Sequence, residues 1–280
     1  MKKSIFLSCV FAVALVGTLF SLPKVVVNTK GKEVDKERTQ SAATTTTAPA
    51  ESASENHNEA TLSPDQQKQI DQLRSGFIQA NGAEKQAAGI KVSDKFAEFQ
   101  KLDSAAYYAE KVAQLSPTAE NYLRTGDRYY EAYGFAVDEQ KLKRLGEKTR
   151  DYYQKAIDQN PSLLAAKANM AMTYVSTENP MQGIMMLREV LDADPTNELA
   201  LFNLGILSMR SNQYSKAADR FRQIITNNPA NTKAKFYLGI SLVELGDKEQ
   251  ATKVLAEVKK EENDPMIQQA IGELEDRLNN

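Results

Sequence analysis

The sequence predicts an all-α protein in which pairs of helices stack into a solenoid. Pro161, Pro195 and Pro229 follow one another at intervals of 34 residues. Between them, apolar residues recur at helical spacing on either side of a short polar turn, such as "STENP" or "SNQY". Each proline is expected to end a second helix, because it cannot donate the next backbone hydrogen bond. The repeat unit is therefore two helices joined by a turn.

The second helix of each unit keeps one small residue and two large apolar ones at fixed places. The large residues follow the small one after four and after seven positions, in three successive sets: Gly183, Leu187 and Val190; Ala217, Phe221 and Ile224; Ala251, Leu255 and Val258. Where two helices cross closely, a side chain larger than alanine would force them apart. Charged residues change freely from repeat to repeat, which indicates that they face water.

This pattern resembles the tetratricopeptide repeat (TPR) family. The stretch "LFNLGILSMRSNQYSKAADRFRQIITNNP" matches the family's motif. The residues in its defining places are Leu201, Leu204, Gly205, Ala217, Phe221, Ile224 and Pro229. The match is strong from about residue 163 to 263. Upstream it loosens, because about a helical turn or two of extra sequence lies around "EAYGFAVDEQK", which predicts either lengthened helices or a longer turn.

The resemblance implies a TPR-type helix-turn-helix solenoid over residues 63–280. Its expected parts are degenerate N-terminal helices at 63–117, repeats at about 118–162, 163–196, 197–230 and 231–264, and a capping helix at 265–280. The last helix is expected to place apolar residues on one face and polar residues on the other, as a solvated end of a helical stack requires.

An apolar run from Ile5 to Leu22 precedes the repeats. Its 18 residues at about 1.5 Å each span roughly 27 Å, just enough to cross a hydrocarbon core of about 30 Å. The run is long for a signal peptide core, and no small-x-small cleavage pattern ends it. Residues 1–23 are therefore interpreted as one N-terminal transmembrane helix that acts as a signal anchor, with a cleaved signal segment as the alternative.

Residues 24–62 are expected to form a flexible linker. The part from 39 to 60 is rich in Thr, Ala, Ser, Glu and Asn and has no large apolar residue. Such a stretch cannot bury enough surface to offset the entropy lost on ordering, so we expect it to be disordered.

The orientation of the anchor follows from the charges on either side of it. Lys2 and Lys3 favour a cytoplasmic amino terminus and export of the repeats, whereas Lys24 and Lys30 favour the reverse. We expect the repeats on the exported, periplasmic side, and a cytoplasmic-facing orientation is the alternative.

Composition excludes several classes of function for the repeat region. The single cysteine is Cys9 and the single histidine is His57, both upstream of the repeats. This excludes disulfides, thiolate nucleophiles and histidine-dependent catalysis or metal binding there. The sequence has no glycine-rich phosphate loop and no nucleophile elbow, and its net charge of −2 offers no basic field for nucleic acid. We expect no enzyme activity, no cofactor, no metal and no small-molecule substrate.

The resemblance also implies where a partner binds. In the TPR family, the first helix of each repeat lines a groove, and the corresponding positions here are markedly apolar. They are Met172, Phe202, Ile206, Met209, Phe236, Ile240 and Val243. This implies a groove for an amphipathic helix or an extended apolar peptide. The alternative is that a tight superhelix, or the N-terminal helix near residues 70–78, already covers these side chains.

Tyrosines indicate a second candidate interface. Eight of the 11 tyrosines lie between residues 107 and 153, and tyrosine suits interfaces because it combines apolar area with a polar tip. Tyr130, Tyr133 and Phe135, on the extra segment, are the first candidates, although core packing also explains many tyrosines of this family.

The sequence thus predicts a membrane-anchored TPR scaffold or adaptor that binds a protein or peptide partner, with a role in the assembly or maturation of envelope proteins. A self-assembling structural repeat protein of the cell envelope is the alternative. Asn169 and Asn203 stand where some TPR grooves hold a peptide carboxylate, but the basic pairs that accompany them there are missing. Binding of a carboxy-terminal tail in that way is therefore not expected.

Overall fold

The computed structural model describes residues 61–279, which consist of helices and short connections. Twelve helices occur in this part of the chain: α1 Pro64–Gln79, α2 Gly82–Glu98, α3 Leu102–Leu115, α4 Ala119–Gly134, α5 Glu139–Gln159, α6 Leu164–Val175, α7 Pro180–Ala193, α8 Glu198–Arg210, α9 Tyr214–Asn227, α10 Thr232–Leu245, α11 Lys248–Glu261 and α12 Pro265–Asn279. The predicted all-α solenoid is confirmed. The predicted anchor at 1–23 and nearly all of the predicted linker at 24–62 lie outside the described residues. Within 61–279, no helix combines the length and the apolar character that crossing a bilayer requires.

From α1 onward, each helix packs against the next one, and helix–turn–helix pairs follow one another along the stack. The small-against-large contacts predicted from the repeat hold the pairs together. Gly205 on α8 lies against Phe221 on α9, where a Cβ would come within 2.7 Å of the ring. Gly183 supplies the small residue of the α6/α7 pair from the second helix and faces the backbone carbonyl of Ala171.

The largest core runs through the C-terminal half of the solenoid, from α8 to α12. Phe221, Ile224, Leu255 and Val258 are fully buried in it. Helix α12 closes this core with Ile271, Leu274 and Leu278. A helix with one apolar face and one polar face ends the stack without leaving an apolar surface in water.

The α4/α5 pair is longer than the others. Helix α5 has 21 residues, whereas α7, α9 and α11 have 14 each. The extra sequence therefore lies in helix rather than in a long turn, and seven additional residues lengthen α5 by about 10 Å. An ion pair between Lys141 and Asp103, 2.6 Å apart, ties the start of α5 to α3.

Helix α1 packs at the N-terminal end of the stack. Ser63 is its N-cap, and a reciprocal hydrogen bond with Gln66 completes a capping box, as the sequence indicates. Its buried residue Ile70 and its neighbours Leu73 and Phe77 belong to a core shared with α2 and α3. The C-terminal repeats have a core of their own, to which α1 contributes no residue.

Candidate functional site

The first helices of successive pairs lie beside one another, so α4 contacts α6 and α6 contacts α8. Helices α8 and α10 meet through the rings of Phe202 and Tyr237, whose centres are 5.2 Å apart. We call the face formed by α4, α6, α8 and α10 the first-helix row. It contains all seven residues that the sequence assigns to a groove.

Three of these seven residues are buried within the row itself. Ile206 and Met209 keep 7% of their surface exposed and Phe236 keeps 8%. All three belong to the core that runs from α8 to α12. These three residues therefore contribute to the core under the row and have little exposed surface that a partner could contact.

The other four predicted groove residues are partly buried. Phe202, Ile240 and Val243 pack against the same core as Ile206, and Met172 packs against the neighbouring core of α6 to α8. The row thus brings Phe202, Ile240 and Val243 to one core, and Met172 lies one helix pair upstream. These four side chains supply part of the apolar surface of the row, and their role in binding stays a prediction.

Tyr237 is the residue that packs the row tightly. Its ring contacts the rings of Phe202, Phe221 and Phe236, at 5.2, 5.7 and 5.7 Å between centres. Burial raises the pKa of Tyr237 to about 12, so its hydroxyl stays protonated at neutral pH. The sequence offered one signal for this cluster, the two adjacent aromatic residues on α10.

Polar groups of the row differ between its two halves. In the upstream half, the Tyr153 hydroxyl donates to Asp127 Oδ1 at 2.8 Å, and Asn169 Nδ2 donates to the Tyr153 hydroxyl at 3.4 Å. Nearby, Asp94 pairs with Arg128 at 2.7 Å. Sequence reasoning missed these links, because Asp94, Asp127 and Tyr153 lie on three different helices.

Asn203, on α8, differs from Asn169 in the hydrogen bonding of its side-chain amide. Its Nδ2 atom is buried and has no hydrogen-bond partner among residues 61–279. The equivalent of Tyr153 one repeat later is Leu187, which offers no acceptor. Ile206 lies three residues after Asn203 and four after Phe202, so each of these two residues is a neighbour of Ile206 on the surface of α8. An unsatisfied donor therefore accompanies the apolar surface of the row.

The second candidate interface lies on the long α4/α5 pair. Tyr130 and Tyr133 are partly buried, and their rings stack with centres 6.3 Å apart. Burial raises the pKa of Tyr130 to about 12. Phe135, at the end of α4, keeps 48% of its surface exposed. The two tyrosines thus contribute to packing between the helices, and Phe135 is the most accessible of the three.

The first-helix row offers apolar side chains and hydrogen-bonding groups. Within the described residues, no group of three or more histidine, cysteine or acidic side chains is arranged to hold a metal ion. What the row presents is apolar surface, one buried amide donor and paired charges upstream. Such a surface can bind a chain that brings apolar side chains and a backbone carbonyl.

Comparison with known proteins agrees with this architecture. Residues 208–274 match the model of the tetratricopeptide repeat family. The fold is similar to the C-terminal part of a TPR repeat-containing protein from Cytophaga hutchinsonii, with 12% identity over 70% of this chain and 74% of that chain and a TM-score of 0.50. The described residues form a TPR-type solenoid.

Two further solved structures have lower scores. A tetratricopeptide repeat protein from Parabacteroides merdae is 13% identical over 77% of this chain and 93% of that chain, with a TM-score of 0.49. MamA from Desulfovibrio magneticus is 16% identical over 65% of this chain and 97% of that chain, with a TM-score of 0.48. No curated protein matches the sequence. At these identities, the resemblance concerns the fold alone.

Proposed function

We propose that this protein is a membrane-anchored TPR scaffold that binds an extended segment of a partner protein along the first-helix row, from α6 to α10. The observation that carries the proposal is the buried, unpartnered amide of Asn203, which follows Phe202 on α8. A buried donor without an acceptor costs about 1–3 kcal/mol, and a ligand carbonyl at this place would recover that free energy on binding.

The apolar side chains supply the rest of the affinity. Phe202, Ile240 and Val243 are partly buried in the free protein, so they are held in place before a partner arrives. Binding then orders few protein side chains, which reduces the entropy lost on association. A partner segment with apolar residues on alternate positions would place them on this surface and turn a backbone carbonyl toward Asn203.

Anchoring of the scaffold rests on the sequence. The apolar run from Ile5 to Leu22 would hold the protein in the membrane, with the repeats on the exported side. The linker between run and repeats would reach roughly 35 Å on average if flexible. We propose that the scaffold keeps its partner close to the bilayer while envelope proteins assemble or mature.

Photo-cross-linking in the native cells tests the binding face. A photoreactive phenylalanine analogue is placed at Lys233, an exposed residue whose Nζ lies 4.3 Å from the centre of the Phe202 ring. The matched control carries the analogue at Tyr107, which is 49% exposed on α3. We expect a protein to be captured at residue 233 and not at residue 107.

The captured protein is then purified and titrated against wild type and Asn203→Leu. Loss of one amide hydrogen bond is expected to weaken binding by about fivefold to tenfold. Equal affinity for the two proteins would refute the role of Asn203. The mass of the protein in solution tests the alternative of self-assembly, since capture of a second copy together with concentration-dependent oligomers would favour it.

A further inference from the structure

Helix α7 exposes a pair of methionines on its outer side. Met181 and Met185 keep 56% and 57% of their surface accessible. Gly183, between them, is buried against α6. Residues two positions before and two after Gly183 lie about 160–200° round the helix axis from it. Both methionines therefore point away from α6 and from the first-helix row.

The repeats of the chain show what this position usually holds. The residues 34 positions after the two methionines are Ser215 and Asp219 on α9, and the next pair is Glu249 and Lys253 on α11. All four are exposed, like the methionines. Of these three second helices, α7 alone therefore replaces solvated polar groups by two large apolar side chains. Scattered apolar residues are common on protein surfaces. A neighbouring apolar pair at positions that are polar and exposed in the other repeats indicates an interaction site.

The surface around the pair is recessed and acidic. Met181, Met185 and Met186 line a shallow depression of about 450 Å³, and Pro180 contributes to its wall. Two carboxylate side chains, Glu178 and Glu189, line the same depression. Glu189 contacts Lys167 at 2.6 Å, yet its side chain stays 53% exposed. Apolar contact and negative charge are thus available within one small area.

We propose that the outer face of α7 is a second docking surface, which binds a basic amphipathic helix of a partner protein. An apolar side chain of that helix would enter the depression between Met181 and Met185. Lysine or arginine residues beside it would pair with Glu178 and Glu189. Methionine side chains are flexible and polarisable, so they adapt to the shape of an apolar anchor. The charge of the two glutamates selects the basic face of the helix.

This surface is separate from the first-helix row and does not depend on the function proposed for the row. The two faces lie on opposite sides of the α6/α7 pair, so occupation of one leaves the other accessible. A scaffold with both surfaces would hold two partners at once.

A pair of synthetic peptides tests the proposal with the full-length chain. One peptide, about 18 residues and five helical turns long, has leucines on one face and lysines on the other, and its counterpart has glutamates in place of the lysines. Binding is measured by fluorescence anisotropy. We expect the lysine peptide to bind wild type at least about tenfold more tightly than the glutamate peptide does.

Two variants locate the binding surface. Met181→Ser with Met185→Ser removes both apolar side chains without changing the charge of α7, and it should weaken binding of the lysine peptide at least about tenfold. Met266→Ser changes a methionine that is 58% exposed on α12, and it should leave the affinity unchanged. Thermal unfolding of both variants should match wild type, because all three side chains are exposed.

Three results would overturn the proposal. Equal binding of the two peptides would remove the role of charge. Unchanged affinity in the α7 double variant, or equal loss in Met266→Ser, would show that the lysine peptide binds elsewhere or without specificity. A wild-type dimer that dissociates in the α7 double variant, detected by light scattering, would show that a second copy of the chain covers this face instead.

Discussion

Asn169 and Asn203 occupy equivalent positions in successive repeats, 34 residues apart, but their amides have different surroundings. Asn169 donates a hydrogen bond to the Tyr153 hydroxyl at 3.4 Å. Asn203 Nδ2 is buried without a partner in the described part of the chain, and Leu187 occupies the place of Tyr153. One repeat thus carries a satisfied structural amide, and the next carries a donor that remains to be satisfied.

Asn203→Leu is therefore expected to stabilise the protein while it weakens partner binding. It removes a buried polar group that has no acceptor, which is worth up to about 1–3 kcal/mol in the free energy of unfolding. Asn169→Leu is the matched control and should destabilise, because it removes a hydrogen bond to Tyr153. Denaturant unfolding of both variants measures the difference. If the two substitutions destabilise equally, Asn203 is satisfied in the free protein.

Gly205→Ala is expected to destabilise the α8/α9 pair by about 1–3 kcal/mol, because overpacking forces neighbouring groups to move. The new methyl group would come within 2.7 Å of the Phe221 ring, which is fully buried. Gly272→Ala on α12 is the control, since a Cβ there has no neighbour within 4 Å. This control should be neutral or stabilising by up to about 1 kcal/mol, through helix propensity. Equal midpoints of urea unfolding for the two variants would contradict the packing role of Gly205.

The repeat explains why much of the fold could be predicted. Packing at Gly205 and Phe221 requires fixed residue types at fixed spacing, so this contact can be predicted from the sequence pattern. The packing of the upstream helices is harder to predict, because the spacing of the contacting residues changes. Gly89 packs against Val112, 23 positions later, whereas Gly205 and Phe221 are 16 positions apart. When spacing varies, a periodic pattern no longer identifies the partner residue.

The candidate site was less predictable than the fold. A groove position can be assigned from repeat numbering, but numbering does not say how closely neighbouring first helices approach. Ile206, Phe236 and Tyr237 are buried in one core, and the Phe202 and Tyr237 rings meet where α8 and α10 approach each other. The unpartnered amide of Asn203 depends on Leu187, a residue of another helix, so three-dimensional proximity was needed to find it.

Glu110 links three helices through hydrogen bonds and should make stability depend on acid pH. Its carboxylate accepts from Lys148 Nζ at 2.7 Å, from the Tyr152 hydroxyl at 2.9 Å and from the Tyr129 hydroxyl. Burial alone would raise the pKa of Glu110, but these hydrogen bonds outweigh it and hold the pKa below 4.5. A carboxylate with a lowered pKa in the folded state stabilises the fold above its unfolded pKa. That stability is lost as the pH falls from about 4.5 through the lower, folded value.

Glu110→Gln is expected to lower the free energy of unfolding at pH 7, by about 1–3 kcal/mol, because charge-assisted hydrogen bonds become neutral ones. It should also flatten the loss of stability below pH 4.5, the ordinary value for this group. Glu147→Gln, an exposed position on α5, is the matched control. Unfolding midpoints from pH 7 to pH 3 measure both effects. A profile for Glu110→Gln that falls as steeply as wild type would contradict the assignment.

Ile271→Ala on the capping helix tests how far a defect spreads along the solenoid. Ile271 is fully buried against the α8–α12 core, and removal of such a side chain costs about 2–5 kcal/mol. Because repeats contact only their neighbours, the loss should loosen α11 and α12 first and leave α2 and α3 protected. Amide hydrogen exchange measures this gradient, with Met266→Ala on the exposed side of the same helix as the control. If exchange accelerates equally in α2 and α3, the solenoid unfolds as one cooperative unit, and the α12 contact stabilises the whole of it.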